Sequence, residues 1–162
     1  MKLFVATPST GMSRMSYTYS LVRLLMYFSQ NRIFEDVETQ VFDYHVVTGS
    51  GISANRERLI LDFLATDFTH VLFIDEDMAF LPQALTTLAN RRLPLVGCNY
   101  PIRNKGRGFT ALGEEGRIET KEESTGVEKC IYTGFGFCLI EREVFERIER
   151  SRRKYLDLDN PA

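Results

Sequence analysis

Apolar positions along this chain fall into two alternating rhythms. Residues 2–7, KLFVAT, form a short apolar run that predicts a buried strand, with Pro8 as its stop. Over residues 16–30 the apolar side chains space out: Leu21, Leu24, Leu25 and Phe28 recur at i, i+3, i+4 and i+7. That spacing predicts a helix with one apolar face, and Ser16 is placed to cap it. VETQVFDYHVV (37–47) alternates and is rich in β-branched residues, which predicts a second strand. Ser53 opens a second helix with Leu59, Ile60, Phe63 and Leu64 inward. THVLFI (69–74) is apolar at every position after His70, as expected of a parallel strand covered on both faces. Pro82 suits the start of a third helix, and LPLVGCN (93–99) reads as a fourth strand.

The first hundred residues thus read β-α-β-α-β-α-β, which predicts an α/β fold with a mostly parallel, Rossmann-like central sheet flanked by helices. The rhythm then shortens. FTALG, GRIET, VEKCIY and FGFCLI read as short strands, mostly in hairpins. EEGRIETKEES (114–124) reads as a charged connection, and a last helix is expected from about Glu141 to Arg150, with Val144, Phe145 and Ile148 inward. One domain is expected over 1–162, with a nucleotide-binding β/α half (1–100) and a shortened half after it (101–162).

Composition narrows the function classes. Twenty basic against 22 acidic residues gives a net charge of -2, so no global pull toward nucleic acid or anionic lipid is expected. No apolar run approaches the roughly 20 residues of a transmembrane helix. Cys98, Cys130 and Cys138 are odd in number and form no C-x-x-C pair, so reduced thiols and a cytoplasmic setting are expected.

The chemistry concentrates at the end of the third strand, where VLFI runs into Asp75, Glu76 and Asp77. Ligands of open α/β sheets sit outside the carboxyl ends of the strands. Alternation along an extended chain would put Asp75 and Asp77 on one side and Glu76 on the other. Two converging carboxylates suit Mg²⁺ or Mn²⁺, whose charge offsets their repulsion. The plain alternative is an acidic turn leading into the next helix.

The segments ISANRERLILDFLATDFTHVLFIDEDMAF, LPLVGCNYPIR and TGFGFCLIEREVFERI together resemble the nucleotide-sugar glycosyltransferases of the GT-A fold, above all the family-2-like enzymes of bacteria and large viruses. The resemblance implies that the D-x-D of Asp75 and Asp77 holds Mn²⁺ or Mg²⁺ against the diphosphate of a sugar nucleotide, a UDP- or GDP-sugar, with Asp77 the direct ligand. Asp75 and Glu76 would then also line the donor site, and Thr7, Pro8 and Ser9 would cradle the nucleoside. Arg56 stands where the family often has an arginine early in the second helix, although Glu57 follows it where the family usually has asparagine. Gly134 and Phe135, in Thr133-Gly134-Phe135-Gly136, would face a glycan or other hydroxyl acceptor across the cleft. Arg103, Lys105 and Arg107 form a basic loop able to close over phosphates, or a solvated charge run. His45 and His70 read as structural.

The family's acceptor-side acid and late histidine have no clear counterpart. Asp157 and Asp159 are candidates by location alone, so the catalytic base stays unassigned. A homo-oligomer is compatible with this reading. Two alternatives stand beside it: a sugar-nucleotide-binding module without turnover, and a haloacid dehalogenase-type phosphohydrolase. The latter usually carries its D-x-D on the first strand, with Gly-Thr after it.

Overall fold

The computed structural model describes residues 1–31, 33, 40–49, 51–102, 108–121 and 123–158, with backbone alone over 153–158. Its elements run β1 (Lys2–Ser9), α1 (Met15–Gln30), β2 (Val41–Thr48), α2 (Ile52–Leu64), β3 (His70–Ile74), α3 (Gln83–Ala89), β4 (Leu95–Gly97), β5 (Leu112–Gly113), β6 (Gly116–Arg117), β7 (Phe137–Glu141) and α4 (Arg142–Leu158). Five strands form one sheet in the order β2-β1-β3-β7-β4, and β5 and β6 form a separate two-stranded hairpin. β1 pairs in parallel with β2 and β3, while β7 runs antiparallel between β3 and β4. The fold is a mixed α/β sheet flanked by helices.

The sheet is central because its strands are apolar on both faces. Leu3, Val5, Leu72, Ile74, Phe137 and Leu139 pack on one side with Leu21, Leu24 and Phe28 of α1 and Leu85 and Leu88 of α3. Phe4, Ala6, Val71, Phe73, Cys138 and Ile140 pack on the other with Leu59 and Phe63 of α2 and with Val144 and Phe145 of α4. Odd and even positions of each strand thus feed separate cores, as the side-chain period of two requires. Arg142 links the second layer. Its guanidinium donates to the carbonyls of Phe63, Thr66 and Phe68 and lies 4.7 Å from the Phe63 ring centroid, closing the C-terminal end of α2. Among the described residues no helix is long and apolar enough to cross a membrane.

Several expectations need correction. Pro8 does not end the first strand. β1 continues to Ser9, because past Ala6 it pairs with β2 alone and a missing N–H disturbs no ladder to β3. Ser16 does not cap α1; the helix starts at Met15 after Arg14, with no side-chain cap. Ile148 points outward and is 60 % exposed, since α4 rests on the core only through its first turn. VEKCIY makes no strand beyond an isolated bridge from Tyr132 to Leu112. FGFCLI, one of the short strands expected mostly in hairpins, enters the main sheet. The expected start of the second strand at 37–39 lies outside the described residues.

Candidate functional site

β1 and β3 end side by side, and the loops beyond them converge with the start of α2 and the approach to β7. Asn55 sits in the first turn of α2 and is buried. Its amide donates to the carbonyls of Ser9 at 2.9 Å and Gly49 at 3.2 Å, tying together the ends of β1 and β2. Gly49 must lack a side chain there, because a Cβ would lie 2.6 Å from Asn55 Oδ1. The sequence held a signal for this clamp: Asn55 is a polar residue at i of the stripe completed by Leu59 and Phe63 at i+4 and i+8.

The acids after β3 are not on an extended chain. The Met78 N–H donates to the Asp75 carbonyl at 3.0 Å, closing a turn around Glu76 and Asp77. The strand-alternation argument for pairing Asp75 with Asp77 therefore does not hold, and the two share a tight turn instead. Glu76 is occupied. Its carboxylate accepts from the Ser9 hydroxyl and from both the N–H and hydroxyl of Thr10, at 2.5, 2.9 and 2.5 Å. This brace holds the β1 and β3 loops together.

Asp75 meets a different set of partners. Its Oδ1 accepts from Arg56 Nη2 at 2.8 Å, with both side chains about one quarter exposed. The Arg56 guanidinium also lies 5.7 Å from the Phe135 ring centroid, and its Nε is buried with no hydrogen-bond partner. The Asp75 backbone N–H donates to Gly136 O at 3.0 Å. Tyr100 closes the other side, its hydroxyl accepting from the Gly136 N–H at 2.8 Å. Burial raises the Tyr100 phenol above its ordinary pKa, and the neighbouring Asp75 charge adds to the rise.

The remaining expected residues fall into place around this core. Thr7 and Pro8 are buried under the site, and the Thr7 hydroxyl is 2.6 Å from the hydroxyl of Tyr17, itself 3.2 Å from that of Tyr44. Burial pushes the Tyr17 phenol up, so Tyr17 stays neutral. Gly134 lies against Tyr100, whose hydroxyl and Cζ occupy the space of the missing Cβ at 2.4 and 2.9 Å. Phe135 packs on Phe73 and under Arg56. In this arrangement the glycines make room for Tyr100, a residue the sequence reading overlooked. The only hint was a pair of alternating glycines that needed a bulky neighbour. Arg103, Lys105, Arg107 and Asp159 lie outside the described residues, as does the side chain of Asp157. His45 stacks on Phe4 at 4.0 Å, and His70 starts β3 at the end of the sheet away from the acids.

The carboxylate turn can be tested as a cation site. Among the described residues no group of three or more His, Cys, Asp and Glu side chains converges to hold a metal. Mg²⁺ commonly takes only one or two carboxylates and completes its shell with water and substrate phosphates, so two carboxylates such as Asp75 and Asp77 would be enough in number for a cation shared with a ligand. Glu76 is already satisfied, and Asp75 already has Arg56 as counter-ion, so a cation there competes with the guanidinium. A concavity of about 700 Å³ lies elsewhere, over the β5–β6 hairpin and residues 128–131, and includes none of the three acids.

No family model and no curated protein matches the chain. Among solved structures it is similar to A197 from STIV, seen in a crystal structure, with a TM-score of 0.58 and 19% sequence identity. The match covers 91% of this chain and 68% of that one. At that identity the likeness is one of fold.

Proposed function

We propose that this chain is a nucleotide-sugar glycosyltransferase domain of the GT-A type, acting in a reducing, cytoplasmic setting on a glycan or other hydroxyl acceptor. The observation that carries the reading is the acidic turn at the carboxyl end of β3, in the middle of the sheet, with Arg56 paired to Asp75 and Tyr100 accepting from the adjoining Gly136 N–H. This is where an open α/β sheet takes its ligands. Asp75 and Asp77 would hold Mn²⁺ or Mg²⁺, which when bound with a diphosphate supplies Lewis-acid stabilisation of the departing nucleotide. Arg56 would take part in the same exchange: released from Asp75, its guanidinium would be a bidentate donor for a phosphate. Glu76 keeps the β1 and β3 loops in register, and Tyr100 fixes the Gly134–Gly136 backbone against the turn.

A second reading, donor binding without turnover, is favoured by the ion pair that already compensates Asp75. Thermal melts with UDP-, GDP-, CMP- and dTDP-sugars, with and without Mn²⁺, test both. Saturation at about 100 times Kd should add about 2.7 kcal/mol, a rise of roughly 5–10 °C in Tm. The rise should need Mn²⁺ and vanish in Asp77→Ala. No rise with any sugar nucleotide would remove the donor site from consideration. A rise without transfer of labelled sugar to any hydroxyl acceptor would select the binding module.

A further inference from the structure

α1 is apolar on two opposite faces. Tyr17, Leu21, Leu24 and Phe28 point into the core. Met15, Tyr19, Val22 and Met26 point away from it, at 82, 64, 50 and 55 % exposure. At 3.6 residues per turn these four fall within an arc of about 60°, opposite the buried stripe. A surface helix of a monomer normally turns a polar face to water. Here the outward seam is built from Met, Tyr and Val, and Arg23 is the only charged residue between Met15 and Gln30. Charge depletion with Met and Tyr enrichment is the composition of an interface centre.

The geometry points to a second copy of this chain as the occupant, its α1 lying antiparallel across this one. Three features favour that partner. The steps of four, three and four residues average about 3.7, close to the 3.6 of a straight helix, so the seam keeps to one side of α1 and a second such helix can lie along it. A two-fold axis between Tyr19 and Val22 sets Met15 against Met26 of the other copy and Tyr19 against Val22. Arg23 then falls opposite Thr18 rather than opposite its own copy, so no like charges meet. Third, helices that lie on a lipid surface carry a polar face rich in Lys and Arg, and α1 has one arginine. The seam is about 16 Å long, and two packed seams remove on the order of 1,000 Å² from water. That is the lower end for a specific interface, the size class of weak and transient association. The inference is independent of the sugar-nucleotide reading.

Sedimentation velocity of the intact chain under reducing conditions, across micromolar to submillimolar concentration, should show a monomer–dimer equilibrium. Val22→Glu and Tyr19→Lys should each shift it at least tenfold toward monomer while leaving the circular dichroism melt within about 2 °C, since both positions are exposed. The double variant Tyr19→Lys with Val22→Glu should recover dimer, because each lysine then faces a glutamate of the other copy. A chain that stays monomeric throughout the range overturns the inference. So does a dimer untouched by both single changes, and so does failure of the double variant to recover. Vesicle binding by a chain that remains monomeric in solution would assign the seam to a membrane and also overturn it.

Discussion

Replacing Gly136 by alanine should unseat Tyr100. The added Cβ would stand 2.5 Å from the Tyr100 hydroxyl and 2.7 Å from Cζ, with Asp75 Oδ2 at 3.3 Å. None of these neighbours can give way cheaply. Gly134 holds the same ring from beneath, where its own missing Cβ would be 2.4 Å from the hydroxyl. Relief therefore requires the ring to swing out and abandon the hydrogen bond from the Gly136 N–H at 2.8 Å. Overpacking of this kind costs about 1–3 kcal/mol and the lost hydrogen bond about 1 kcal/mol more, so about 3 kcal/mol is expected. For a chain of this length that lowers Tm by about 6–12 °C. Urea unfolding followed by far-UV circular dichroism measures it, the chain having no tryptophan to report by fluorescence. The decisive comparison is the same change in a Tyr100→Ala background, where the ring is gone and only Asp75 Oδ2, at 3.3 Å, stays close to the Cβ. There it should cost less than about 1 kcal/mol, a coupling of about 2 kcal/mol. Equal cost in both backgrounds would refute the claim that Tyr100 is what the glycine accommodates.

Two further outcomes are expected. Arg56→Gln strips Asp75 of its counter-ion and should lower stability by about 1 kcal/mol, a modest figure because the pair is partly exposed; the same variant should gain more Tm from Mn²⁺ alone than the parent chain does, and equal responses would show that Arg56 does not compete for Asp75. His70 provides a pH dependence: burial, with a smaller contribution from the N-terminal charge, lowers its pKa below the ordinary 6.5. The folded state thus resists protonation, so full stability is present above pH 6.5 and declines as pH falls through the lowered value. His70→Gln should flatten that part of the stability–pH curve, and an unchanged slope would move the effect to another group.

What the sequence determined by itself is local. The run VLFI, apolar at every position, announced a strand covered on both faces, and Val71 to Ile74 are buried completely. The stripes Leu21–Leu24–Phe28 and Leu59–Phe63 named the inner faces of α1 and α2 correctly, because a periodicity of 3.6 or 2 is written into consecutive residues. The acidic turn was visible for the same reason, as an abrupt change from apolar to charged. The order of strands was not. β7 is the last strand in the chain yet lies between β3 and β4, and no local pattern distinguishes a strand that enters the main sheet from one that folds into a hairpin. The partners at the site were equally hidden. Arg56 reaches Asp75 across 19 positions, Tyr100 reaches Gly136 across 36, and Asn55 reaches Ser9 across 46. Local spacing fixes which face a side chain takes, but the choice of neighbour is made by the packing of two helical layers on one sheet. There, burial obliges each polar group to find whatever partner the closed fold has brought within reach.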